Sequence, residues 1–248
     1  VKFSRLLVPA LALALTASLI ANAILYQQGE QYYRQLNETR LDPLGLRNFA
    51  NTQIRSTDKI QVVFYGDSRA ANWPEPAGLE QFEFVNRGVG AQTSAQMLGR
   101  FEQDIAPLLP NIVVLQVGIN DLKTIPLFPE RRAEIIAGCK TNIKQAVDMS
   151  VALGAKVILT TIFPVGPVPV YRQPFWSPEV ARAVDDINAY IQTLSAPDVI
   201  GFDAHAMLAE NGETRKEYAV DTLHLNSDGY AVLNSELVKV LKDIADAK

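Results

Sequence analysis

The sequence predicts a three-layer α/β/α domain built on a parallel sheet of about five strands. Three observations predict it. Short runs such as "IQVVFY" (60–65) and "IVVLQV" (112–117) are apolar at nearly consecutive positions, the pattern of a strand covered on both faces. Helical stretches separate these runs, as parallel crossovers require. The first three runs stop at Gly, Asp, Asn or Ser, residues that strand interiors disfavour.

The elements follow in chain order. Lys2 and Arg5 precede an uncharged stretch from Leu6 to Leu25. This is a positive n-region followed by an apolar h-region, just long enough to span a bilayer. Ala21-Asn22-Ala23 fits a small-x-small cleavage site. A cleaved export signal and an uncleaved membrane anchor, assigned to residues 1–26, both satisfy the pattern. Either one translocates the remainder, to a periplasmic or other extracytoplasmic location. Residues 27–58 are polar with scattered aromatics and read as a short helix followed by a linker. Residues 59–248 form the functional domain, large enough to bury a core without disulfides or metals.

Within that domain the strands are 60–65, 82–86 ("FEFVN"), 112–117, 156–163 ("KVILTTIF") and 199–202 ("VIGF"). A helix over 93–105 places Met97, Leu98, Phe101 and Ile105 on one face. A long helix over 130–153 ends before Gly154, and another covers 179–195. The last helix runs from about 227 to 245, with Ser227 or Asn226 as its N-cap.

Composition excludes several functions. The net charge is −4, so no basic excess calls for nucleic acid. Two histidines and one cysteine cannot build a zinc cluster, and no metal or other cofactor is expected. Cys139, inside a helical stretch, reads as a buried inert thiol. "GVGAQT" lacks the third glycine of a dinucleotide fingerprint, and no G-x-S-x-G elbow is present.

In an open parallel sheet, ligands bind beyond the carboxyl ends of the strands. Strand one is followed by Gly66-Asp67-Ser68, strand two by "NRGVGAQTS" (86–94), and strand three by Gly118-Ile119-Asn120-Asp121. "DTLH" (221–224) precedes the last helix. These blocks supply the parts of acyl transfer. Ser68 is a nucleophile once a base takes its proton. His224 is a base that titrates near neutral pH. Asp221, three residues earlier, can reach the Nδ1 side of the ring in a tight turn. The Ser68 amide, an N–H of the 88–91 turn and the Asn120 side chain can serve a tetrahedral oxyanion.

These four blocks, in this order, resemble the SGNH hydrolases, the GDSL esterase/lipase family. The resemblance covers about 60–245. It implies a flavodoxin-like five-stranded sheet, no metal, and a Ser–His–Asp site. Carried over by position, it makes Ser68 the nucleophile, Asp221 the orienting acid and His224 the base. Asn120 becomes an oxyanion donor, alongside backbone N–H groups of Ser68 and of the second block. There the sequence departs from the family, because the last glycine of its pattern is Ala91. The change is tolerated if the turn does not demand positive φ; otherwise Gly90 is the substitute donor.

Other residues have plainer roles. Asp67 and Asp121 are expected to hold turns, and His205 and Asp203 to be structural. Arg69 and Trp73, beside the nucleophile, are candidate substrate contacts. So are Tyr171 and Trp176, in the Pro-rich stretch 163–179, a length of loop typical of lids and binding loops. The resulting expectation is an exported serine esterase acting on a small acyl, O-acetyl-glycan or lipid ester. The alternatives are a membrane-tethered O-acyltransferase for an envelope polysaccharide and a non-catalytic envelope-binding protein. Membrane contact is expected only through the N-terminal segment.

Overall fold

The computed structural model describes residues 2–50 and 58–247; the linker expected over 51–57 lies outside the described residues. The chain divides into two units, Val1–Pro43 and Leu44–Lys248. The first is a single helix, α1 (Lys2–Leu41). It continues well past the apolar stretch, so the expected second short helix is part of the same one. The polar half is rich in Glu, Gln and Arg, good helix formers, and carries a Glu30–Arg34 pair at 2.7 Å one turn apart. In the apolar half, Thr16 Oγ1 and Asn22 Nδ2 donate back to the Ala12 and Ser18 carbonyls. Among the described residues, this is the one helix long and apolar enough to cross a membrane.

The second unit contains β1 (Ile60–Gly66), α2 (Ser68–Ala71), β2 (Phe82–Gly88), α3 (Ser94–Gly99), α4 (Phe101–Asp104), β3 (Ile112–Gln116) and α5 (Ile119–Leu122). It continues with α6 (Arg132–Ala152), β4 (Lys156–Thr160), α7 (Glu179–Gln192), β5 (Val199–Phe202) and α8 (Ala204–Leu208). A two-residue-per-strand hairpin, β6 (Ala209–Glu210) and β7 (Glu213–Thr214), precedes α9 (Ser227–Asp246). The main sheet is parallel throughout, in the order β2-β1-β3-β4-β5.

Alternation along β1 separates the two cores. Val63 and Tyr65 join Met97, Phe101, Ile143 and Ile187 on the α3–α4–α6–α7 side. Val62 and Phe64 join Trp73, Leu233, Leu237 and Leu241 on the α8–α9 side. That is the three-layer fold expected from strands apolar on both faces. Strand order reverses at β1, so the crevice beyond β1 and β3 is the topological switch point where α/β sheets bind ligands.

Two elements depart from expectation, and one choice left open is resolved. The 93–105 helix breaks at Arg100 (φ −104°, ψ 5°) into α3 and α4. The Arg100 guanidinium bonds Gln92, Asp104 and the Gly66 carbonyl. Strand β4 ends at Thr160, not Phe163. Both backbone groups of Ile162 are taken by the Asn188 amide, at 2.7 and 3.0 Å, which draws the chain out of the ladder. The N-cap of α9 is Asn226, whose side chain accepts from Asp228 and Gly229.

Trp73 is a correction. The expected substrate contact is only 2% exposed. Its ring lies against Phe64, Phe163, Phe202 and Tyr230, and its Nε1 donates to Asn234 at 2.7 Å. It follows α2 and points down into the core on the α9 side of the sheet. Trp73→Ala should therefore cost about 3–5 kcal/mol of stability, read as a shift in the urea midpoint.

Candidate active site

Strand β1 ends in a sharp turn. Gly66 has φ +156°, and a Cβ there would lie 1.7 Å from the Gln116 carbonyl oxygen. Only glycine lets β1 pass β3 this closely. Asp67 then caps α2, its carboxylate accepting from the Arg69 amide at 2.8 Å. Ser68 is the first residue of α2. Its own N–H is a first-turn donor, with no acceptor inside the helix.

Ser68 Oγ lies 2.9 Å from His224 Nε2. On the far side of the ring, His224 Nδ1 is 2.9 Å from Asp221 Oδ2. The DTLH turn makes this second contact: Asp221 Oδ1 also accepts from the amides of Leu223 (2.7 Å) and His224 (2.9 Å). Partial burial works to raise the Asp221 pKa, but the bonds from the His224 ring and these two amides prevail and hold it below the ordinary carboxylate value. An ionised carboxylate at that point stabilises a protonated imidazole.

Arg69 corrects a second expectation. It is fully buried and turned away from any substrate. Its guanidinium donates to the carbonyls of Leu223 (2.8 Å), Phe163 (3.1 Å) and Pro164 (3.4 Å). It thus ties the residue beside Ser68 to the residue beside His224. Burial lowers its pKa to about 10, so it remains a cation at neutral pH.

The second and third blocks meet next to α2. Asn86 Nδ2 donates to the Ala70 carbonyl (2.9 Å), and its Oδ1 accepts from Gly88 N (2.9 Å). Val89 N donates to the Gly66 carbonyl (3.0 Å). The N–H groups of Gly90 and Ala91 donate to nothing among the described residues, leaving two free donors in an exposed turn. Asn120 is buried and gives one bond to the Gln92 carbonyl at 3.0 Å. Its amide has a second N–H to offer. Asp121 is structural: it accepts from Ser94 N (2.8 Å) and Ser94 Oγ (2.6 Å), anchoring the start of α3.

Ala91 has φ +63°. The turn does demand the left-handed region, and the family's glycine is replaced by a residue strained there. Gly90, the substitute donor, is not at positive φ.

The Pro-rich loop contributes a wall. Pro167, Pro169, Tyr171 and Arg172 join Lys216, Val220 and Asp221 around a cavity of about 440 Å³. Tyr171 is 76% exposed. Trp176 is half-buried and packs against the core on the α6–α7 side, and it does not line this cavity. The residues that sequence reading passed over are Asn86 and Gln92. Both lie inside the "NRGVGAQT" block, but what they hold is distant main chain, which no spacing reveals. Among the described residues, no group of three or more His, Cys, Asp or Glu has the arrangement of a metal site.

A parallel sheet carrying a Ser–His–Asp chain at its switch point defines the serine-hydrolase class of α/β proteins. Residues 56–232 match the GDSL-like lipase/acylhydrolase family. The chain belongs to that family and is an ester hydrolase of the SGNH type. Its fold is shared with a GDSL-like lipase from Bacteroides thetaiotaomicron: TM-score 0.65, 21% identity, covering 81% of this chain and 98% of that one. It is also shared with an acetylxylan esterase from Geobacillus stearothermophilus: TM-score 0.57, 19% identity, 76% and 95% covered. A 62-residue stretch is 34% identical to N-acylneuraminate cytidylyltransferase of Escherichia coli O18:K1:H7. That match spans 25% of this chain and 15% of the cytidylyltransferase.

Two predictions follow from this geometry. A left-handed conformation costs a non-glycine residue about 1–2 kcal/mol, partly offset because glycine loses more entropy on folding. Ala91→Gly should therefore raise stability by about 0.5 kcal/mol, measured as a higher thermal midpoint with activity retained. Asp67 has a buried second oxygen with no partner among the described residues. Burial, outweighing Arg69, pushes its pKa from 3.8 up to about 6. The native state thus binds this proton more tightly than the unfolded chain, so stability is lost as pH rises from about 4 to about 6. Relative to Asp67→Asn, the wild-type thermal midpoint should fall across that window and run parallel above it.

Proposed function

We propose that the protein hydrolyses a carboxylic ester through a covalent acyl-enzyme on Ser68. The observation that carries this reading is the unbroken contact chain from Ser68 Oγ through the His224 ring to Asp221, 2.9 Å at each link. His224 takes the serine proton as Oγ attacks the carbonyl carbon. Ser68 N, the Gly90 or Ala91 N–H and Asn120 Nδ2 receive the negative charge on the carbonyl oxygen. His224 then protonates the leaving alcohol, and a water, activated by the same ring, releases the acid. Asp221 keeps the ring in the tautomer that presents a bare Nε2 to the hydroxyl.

The proposed substrate is a short acyl group, such as acetyl, on a polar alcohol such as a sugar. The cavity beside Asp221 supports this, since its walls combine Tyr171 and prolines with the cations Arg172 and Lys216, a surface suited to a glycan more than to a long acyl chain. The apolar half of α1 supports export, with the domain either tethered or released outside the cytoplasm.

Ser68→Ala should abolish turnover of p-nitrophenyl acetate and labelling by a fluorophosphonate, with the thermal midpoint retained. Failure of the probe to label Ser68 in active wild-type protein would refute the acyl-enzyme. Asn120→Ala should lower kcat by about 10²–10³-fold, the usual loss for one oxyanion donor.

A further inference from the structure

One buried side chain joins the oxyanion residues to a segment far from them in function. Gln92 directly follows the 88–91 turn and is buried. Its main-chain oxygen fixes Asn120 Nδ2 at 3.0 Å. Its side-chain oxygen accepts from Arg100 Nε at 2.6 Å, and Arg100 also holds the Gly66 carbonyl at 3.0 Å. Its side-chain nitrogen donates to the carbonyl of Leu44 at 2.7 Å.

Leu44 opens a short segment packed on this wall. A Cβ at Gly99 would lie 2.8 Å from Leu44 Cδ2, so Leu44 sits directly on α3. Gly45 has φ +70°, and a Cβ there would meet Gln92 Nε2 at 2.9 Å and Val89 Cγ1 at 3.3 Å. Phe49 closes the other end, its ring centroid 4.6 Å from the Arg87 guanidinium and 6.0 Å from that of Arg100. Cations over an aromatic face are attracted to it. The segment is not needed to complete the sheet, yet its contacts converge on the turn and the glutamine that hold the oxyanion donors.

We propose that Leu44–Phe49 is a brace for the oxyanion hole. Gln92 and Gly45 are positioning residues: they touch no reacting atom and act by fixing where the Asn120 amide points. This rests on the reading of Asn120 as an oxyanion donor. Small displacements of such groups are expensive, on the order of 10²-fold in rate for about 1 Å. The brace lies beyond any cleavage at Ala23, so a tethered and a released form would both retain it.

The test uses the full chain and p-nitrophenyl acetate. Gly45→Ala introduces a methyl group where backbone and neighbours refuse it, and Phe49→Ala loosens the same segment without touching Gln92. Each should lower kcat about tenfold with KM changed less than about twofold. The pH profile should not move, because His224 and Asp221 are untouched. In an Asn120→Ala background the further loss from either variant should shrink below about twofold, since the group being positioned is gone. Unchanged kcat in both variants overturns the proposal. So does a tenfold loss that persists undiminished without Asn120, and so does loss of cooperative unfolding in both, which would make the segment purely structural. If Asn120→Ala alone leaves kcat unchanged, the oxyanion reading itself fails, and the brace with it.

Discussion

The site depends on one buried cation. Ser68 and His224 stand 156 residues apart in sequence and 2.9 Å apart in space, and Arg69, next to Ser68 on α2, reaches the turn that carries His224. Its three carbonyl acceptors come from the DTLH turn and from the loop that follows β4. Its own carbonyl accepts from Tyr230 on α9 at 2.8 Å. A guanidinium suits this task because it is planar, always charged and has five fixed donors. It also stacks on Phe163, 5.2 Å from the ring centroid. Removing it would strand several carbonyls in a dry interior, each at a desolvation cost of about 1–3 kcal/mol.

Around that strut the site is built from main chain as much as from side chains. Asn86 donates to the carbonyls of Ala70, Ala71 and Trp73, in and just after α2. Asp121 holds α3 through Ser94, and Asn142 of α6 donates to the same hydroxyl. Buried polar groups that are satisfied in this way fix geometry closely. Asp67 differs from these, with one oxygen bonded and the other without a partner among the described residues. The carboxyl next to Ser68 is held at a desolvation cost, and the same burial raises its pKa.

The sheet and the Ser–His–Asp residues were legible in the sequence because they obey local rules. Apolar runs such as 112–117 read as buried strands, the strand-end positions of Ser68 and Asn120 follow from topology, and His224 stands in a block just before the last helix. What was not legible required knowing where side chains point. Arg69 and Trp73 lie close to Ser68 in sequence, but a helical start sends them into the core, not toward solvent. Strand β4 ends early because Asn188, nearly thirty residues away, claims its backbone groups. Ala91 showed as a departure from a pattern, but whether its φ was positive could not be read from its identity.

The order of the parts along the chain has a temporal consequence. Ser68 directly follows the first strand of the sheet, while His224 comes after all five, just ahead of α9. A polypeptide that emerges amino end first therefore displays this serine long before the imidazole that meets it exists in space. The 2.9 Å contact between the two can form only after the whole sheet and the DTLH turn have followed.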